Sequence, residues 1–129
     1  MVTNKVTDKV ADELMDLQVL KGLVGDDLSL QQEVLQMFCN TADDYCEELE
    51  RAYASHCCDE VKAVAHKFRS SAQTMGAVGL GKLCEQLEIA GRDKSWDGVE
   101  ACFPEVRREL KAVTAFVQNL LRVTASGAD

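Results

Sequence analysis

His66 is the residue whose type and setting best suit chemistry in this sequence. It lies in a stretch of helical periodicity, roughly 150° around the helix from the centre of the apolar stripe, so we expect it to face solvent. Four cationic or small polar residues share its face: Lys62, Arg69, Ser70 and Gln73. A neutral imidazole is a good nucleophile near neutral pH. The pattern thus fits a nucleophile beside an anion site, and it equally fits an incidental surface histidine.

Cysteines are the other candidates for chemistry, and the chain has six of them without a C-x-x-C pair. We interpret four as small core residues: Cys39, Cys46, Cys84 and Cys102. The adjacent Cys57 and Cys58 leave a redox role open. The run from His56 to Asp59 resembles a metal-binding sequence only weakly, so we expect no metal site.

Charge and hydropathy exclude several classes of function. The net charge of −8 argues against binding nucleic acid phosphates. No apolar run approaches the roughly 18–20 residues that a membrane span needs. Residues 1–16 carry six charges and lack the apolar segment of a signal peptide. We therefore expect a cytoplasmic protein, with nuclear access if the source is eukaryotic.

Helical periodicity dominates the chain. It predicts helices over 7–23, 28–54, 60–75 and 78–90, and a last helical region from Ser95 or Asp97 to residue 123. Gly25 with the acids at 26 and 27 breaks the first helix, and Asp59 is the expected N-cap of the third. Gly76 and Gly91 are expected to end the third and fourth helices. Pro104 should kink the last region or restart it.

The apolar positions and short connections predict an all-α fold. On the third helix six residues form one core stripe: Val61, Val64, Ala65, Phe68, Ala72 and Met75. Short loops favour antiparallel neighbours, so we expect an up-and-down four-helix bundle with an additional N-terminal helix packed on it. We expect a single domain over residues 1–129, with the ends 1–6 and 124–129 frayed.

The segment from Ala65 to Ala77, AHKFRSSAQTMGA, resembles the signature of histidine-containing phosphotransfer (HPt) domains. That signature has a histidine after alanine, a lysine three residues later, then glycine, small residues and a closing glycine. The likeness continues through Leu80, residues 83–88 and Gly91-Arg92. Upstream, residues 17–59 have the family's order of short helix, acidic loop and long helix, so the resemblance covers nearly the whole chain.

The resemblance implies that His66 accepts a phosphoryl group from the aspartate of a receiver domain and passes it to another receiver. Such a protein is a carrier and not an enzyme, and Mg²⁺ would come from the receiver. Glu88 matches the residue that orients the histidine's Nδ1 in the family, which would leave Nε2 free to attack. The family pattern assigns phosphoryl-stabilising or orienting roles to Arg69, Lys67, Ser70 and Arg92.

The same resemblance implies docking on response-regulator receiver domains and on a hybrid sensor histidine kinase, by a protein expected to be a monomer. Candidate docking residues surround His66: Leu17, Leu20, Val24, Gln73, Met75 and Val78. Several of these apolar residues also suit the core.

Two residues depart from the family pattern. Arg69 replaces the usual lysine and delivers its charge as a planar fork, and Ser70 adds bulk where glycine is usual. A helical adaptor that binds without chemistry therefore remains an alternative. A third interpretation is the phosphoacceptor domain of a chemotaxis-type kinase, which we expect less because no kinase domain accompanies the chain.

Overall fold

Five helices make up the part of the chain that the computed structural model describes, which is residues 14–127, with side chains to residue 123. They are α1 (Leu17–Val24), α2 (Leu28–Ala54), α3 (Cys58–Thr74), α4 (Val78–Arg92) and α5 (Trp96–Gly127). These residues contain no strand, which confirms the all-α prediction. The expected helical residues 7–13, the frayed segment 1–6 and the last two residues lie outside the described range.

The helix predicted over 7–23 is interrupted before α1. Met15 and Asp16 are not helical, and the Asp16 carboxylate accepts a hydrogen bond from the Gln18 backbone N–H at 3.0 Å. That bond makes Asp16 an N-cap, so the prediction of one continuous helix through Asp16 was wrong. The backbone N–H of Asp16 also donates to the Gly76 carbonyl at 2.9 Å, which ties the start of α1 to the turn between α3 and α4.

Both ends of α3 differ slightly from the prediction. Cys57, in an extended conformation, is the N-cap residue, and the expected cap Asp59 instead lies in the first helical turn. A carboxylate there is favoured by the helix dipole, and Lys94 pairs with Asp59 at 3.2 Å. At the other end Gly76 has a φ of 78°, which confirms the left-handed position expected after this helix.

Gly91 does not end α4, which continues to Arg92. The glycine is needed for a different reason. A Cβ atom at residue 91 would lie 2.8 Å from the Cys58 carbonyl oxygen and 2.9 Å from the Lys62 backbone nitrogen. Gly91 therefore marks a point where α4 approaches the backbone of α3 closely.

The last helix does not restart at Pro104. It begins after Ser95, whose hydroxyl accepts from the Gly98 N–H at 3.1 Å, and it runs without interruption through Gly127. Pro104 lies on the exposed side of α5, as does Glu100 one turn earlier. The carbonyl that loses its helical partner to the proline can therefore turn to water.

Contacts across three helix interfaces show that the paired helices are antiparallel, because later residues of one helix meet earlier residues of the other. Between α3 and α4, His66 meets Glu88 and Arg69 meets Glu85. Between α2 and α3, Tyr45 packs on Phe68 and Glu48 pairs with Lys67. Between α2 and α5, Tyr53 packs on Phe103 and Glu50 pairs with Arg107. These pairs place α2 to α5 in an antiparallel bundle, with α1 against α2.

Apolar side chains fill the centre of the bundle, and no polar or charged residue among residues 14–123 is buried. All six residues of the predicted α3 stripe are buried. Of the four cysteines expected in the core, Cys39 and Cys84 are fully buried, and Cys46 and Cys102 are half-buried at its margin. None of the described helices is long and apolar enough to span a bilayer.

Candidate functional site

His66 lies in the middle of α3 on the face opposite the core stripe, with 55% of its side chain exposed. The neighbouring Ala65 and Phe68 point inward and are fully buried. The outward orientation predicted from periodicity is therefore confirmed. The residue is fixed in position by a helix packed on α2 and α4, while its ring remains accessible to a partner.

Glu88 on α4 holds the ring of His66. Its Oε2 atom lies 2.9 Å from Nδ1 of the imidazole, and its side chain is only 19% exposed. A carboxylate can only accept a hydrogen bond, so in the neutral ring the proton must be on Nδ1. Nε2 then carries the free lone pair. The antiparallel packing of α3 and α4 brings together these residues, which the family pattern had paired.

Arg69, one turn after His66 on α3, contacts the same carboxylate. Its Nη1 atom lies 3.2 Å from Oε1 of Glu88 and 3.5 Å from Oε2 of Glu85. The side chain of Arg69 is 26% exposed. The cation expected to stabilise a phosphoryl group is thus directed toward α4 and paired with carboxylates.

Lys67 and Arg92 lie on different sides of the histidine. Lys67 reaches toward α2, where its Nζ is 3.9 Å from Glu48 and 6.0 Å from the centre of the Tyr45 ring. Arg92 lies one turn beyond Glu88 on α4, largely exposed, with its Nε 3.3 Å from Asp93. Each of these cations already has an acidic partner in the unphosphorylated protein.

An open groove of about 500 Å³ runs along His66 between α2 and α3. We call it the α2/α3 groove, and its lining includes Val34, Met37, Phe38 and Thr41 of α2 and His66, Lys67, Ser70 and Thr74 of α3. Ser70 faces this groove at the position where the family usually has glycine. Its carbonyl accepts from the Thr74 hydroxyl at 2.8 Å.

The groove includes a residue that the sequence reasoning missed. Met37 on α2 is 65% exposed, and it lines the groove together with Thr41, one turn further along. The sequence does contain a signal for this residue, because Met37 is large and apolar but lies outside the helical spacing of the buried residues of α2.

The predicted docking residues fall into two groups. Leu17 and Val78 are exposed at 36% and 52%, Gln73 is exposed, and Val24 is half-buried. Leu20 and Met75 belong to the core, at 3% and 6% exposure. A partner would gain almost no contact area on these two, so assigning them to docking was wrong.

The segment from His56 to Asp59, which resembles a metal-binding sequence weakly, makes an aromatic contact. The His56 ring stacks on Trp96, with ring centres 4.2 Å apart. Within residues 14–127 no three histidine, cysteine or acidic side chains converge as a metal site would require.

Fold and site together define a class of protein, a helical bundle that presents an exposed histidine held by a carboxylate. The family model of the Hpt domain matches residues 33–116, and the chain belongs to this family. Comparison with curated proteins finds no match.

Solved structures of similar fold are phosphotransfer proteins. The histidine-containing phosphotransfer protein HptB from Pseudomonas aeruginosa aligns with a TM-score of 0.79 at 22% identity, covering 84% of this chain and 95% of its own. The maize protein ZmHP2 gives 0.78 at 25% identity, covering 92% and 97%. The HPT domain of a hybrid histidine kinase from Shewanella gives 0.71 at 18% identity, covering 86% and 96%.

Proposed function

We propose that this protein is a phosphorelay carrier that accepts a phosphoryl group on Nε2 of His66. The observation that carries the proposal is the exposed imidazole whose Nδ1 is held by Glu88 at 2.9 Å. The donor is the aspartyl phosphate of a receiver domain, and a second receiver takes the group in the reverse reaction.

Each transfer exchanges one bond to phosphorus for another. The Nε2 lone pair forms the P–N bond while the P–O bond to the receiver's aspartate breaks, and the aspartate leaves as a carboxylate. The proton on Nδ1 stays in place, so the ring becomes cationic, and the Glu88 carboxylate offsets this charge. Because Glu88 is mostly shielded from water, its charge is screened less than that of a surface carboxylate.

The partner receiver is proposed to bring Mg²⁺ and the rest of the chemistry. Around His66 the nearest carboxylates, Glu88 and Glu85, are already paired with His66 and Arg69, which does not suit a divalent cation. We propose that the chain acts as a monomeric carrier without turnover of its own. Its partners are receiver domains and a hybrid kinase, of the kind that carries the similar Shewanella domain.

Docking is proposed to centre on the exposed apolar side chains near His66, with Met37 of the α2/α3 groove added to Leu17 and Val78. These three are among the large apolar residues that the bundle leaves exposed. Apolar contacts that exclude water would strengthen the electrostatic interactions at the transferring group.

The experiment is transfer of label from a phosphorylated receiver, scored as acid-labile, base-stable phosphate. We expect His66→Gln to abolish labelling while changing the free energy of unfolding by no more than about 0.5 kcal/mol, because the side chain is exposed. His56→Gln is the matched control, since these are the two histidines of the chain, and it should label normally. Labelling of His66→Gln at the wild-type level would refute the proposal, and receiver binding without any label would favour the adaptor.

A further inference from the structure

The Glu88 carboxylate is held from two sides by groups of α3. Its Oε2 pairs with Nδ1 of His66 at 2.9 Å, and its Oε1 pairs with Nη1 of Arg69 at 3.2 Å. Each oxygen thus lies against its own partner, by a hydrogen bond at Oε2 and by an ion-pair contact without hydrogen-bond geometry at Oε1. Rotation of the carboxylate away from His66 would also break its contact with Arg69.

The pairing matters because of where Glu88 lies. The side chains of Glu88 and Arg69 are 19% and 26% exposed, whereas the other arginine ion pairs of the bundle involve side chains about half exposed or more. A charged carboxylate taken this far out of water requires a partner of opposite charge. His66 supplies only an N–H when it is neutral, so Arg69 supplies the charge.

A second carboxylate increases this need. Glu85 and Glu88 lie one turn apart on the same face of α4, and like charges at this spacing repel each other. Arg69 Nη1 lies between them, at 3.5 Å from Glu85 and 3.2 Å from Glu88. Without the arginine, we expect Glu88 to turn toward solvent and release Nδ1.

The ring geometry also separates the carboxylate that Arg69 contacts from the reacting atom. Glu88 lies on the Nδ1 side of the imidazole and Arg69 pairs with its other oxygen, whereas the phosphoryl group is proposed to bond to Nε2, whose lone pair points away from Nδ1. We infer that Arg69 is a positioning residue that orients His66 through Glu88 and is not a ligand of the phosphoryl group. This inference rests on the proposed function of His66.

The first test measures the ring itself, in the unphosphorylated protein. Nitrogen-15 spectra of the imidazole distinguish a proton on Nδ1 from one on Nε2. We expect wild type to hold the proton on Nδ1, Arg69→Met to lose most of that preference, and Arg69→Lys to keep it. Arg108→Met is the matched control, because Arg108 is a highly exposed arginine on α5 paired with Glu105. An unchanged tautomer in Arg69→Met would overturn the inference.

The second test is a double-mutant cycle on the rate of transfer from a phosphorylated receiver. Arg69→Met should slow transfer about tenfold in the wild-type background, the lower end for loss of a group behind a functional histidine. In the Glu88→Gln background, where residue 88 no longer carries a charge for Arg69 to pair with, it should change the rate less than about twofold. Equal slowing in both backgrounds would show direct contact with the phosphoryl group and overturn the inference. A wild-type protein that takes no label would refute the proposed function, and the tautomer would still decide the role of Arg69.

Discussion

The backbone of Asp16 is joined to the backbone of Gly76 by a hydrogen bond of 2.9 Å, although sixty residues separate them. The bond connects the start of α1 to the turn that ends α3. Gly76 has a φ of 78°, and a Cβ atom there would lie 2.7 Å from the Asp16 carbonyl oxygen. The turn after α3 therefore accepts only glycine without rearrangement.

We expect Gly76→Ala to lower the free energy of unfolding by more than about 2 kcal/mol, through backbone strain and the clash with Asp16. Gly25→Ala is the matched control, because Gly25 has a similar φ of 71° with nothing within 4 Å of its Cβ position. The control should lose only about 1 kcal/mol. Urea denaturation of both variants measures the difference, and equal losses would mean that the contact with Asp16 does not matter.

Replacing Glu88 by leucine should slow phosphorylation of His66 by about 10- to 100-fold, because leucine cannot accept a hydrogen bond from Nδ1–H. Stopped reactions with a labelled receiver give the rate. Glu105→Leu serves as the control, since Glu105 is an exposed acid on α5 that pairs with Arg108. If Glu88→Leu accepted label as fast as wild type, the bond at 2.9 Å would have no role in transfer.

Met37→Glu should weaken receiver binding by roughly tenfold or more, since it puts a charge into the apolar part of the α2/α3 groove. Stability should change by no more than about 0.5 kcal/mol, because the side chain is 65% exposed. Val123→Glu is the control: it is exposed at 58% and lies on α5, which contributes no residue to the groove. Calorimetric titration with a receiver compares them, and equal affinities would remove Met37 from the interface.

Burial, together with the nearby Glu88 carboxylate, raises the pKa of the Cys84 thiol from 9.0 to about 12. Below pH 9 the thiol is protonated in both states, so its full contribution to stability is present. Between pH 9 and 12 the unfolded thiol ionises and the folded one does not, so stability falls as pH rises, by at most about 1.4 kcal/mol per pH unit. Urea unfolding between pH 9 and 10.5 should give a shallower slope for Cys84→Val than for wild type, and identical slopes would contradict the assignment.

Sequence periodicity correctly predicted the structural features that depend on the local pattern of apolar residues. The bounds of α2 agree with the structure, as do the buried stripe of α3 and the outward direction of His66. Each of these follows from the spacing of apolar residues along one helix.

Periodicity along single helices could not predict the features that depend on contacts between helices. Gly91 was expected to end a helix because glycine often does, yet the backbone of α3 is what requires it. Arg69 was expected near the phosphoryl group, and its pairing with Glu85 and Glu88 became visible only once α3 and α4 were aligned. The family pattern did identify Glu88, because that position carries its role in the motif itself.

The close approach at Gly91 has a mechanical consequence for the histidine. Gly91 is three residues after Glu88, and there the two helices touch through backbone atoms with no side chain between them. We expect any larger residue at position 91 to push α4 away from α3 and to move the Glu88 carboxylate away from the His66 imidazole. We therefore expect that even the methyl group of an alanine at residue 91 would weaken the contact between Glu88 and His66.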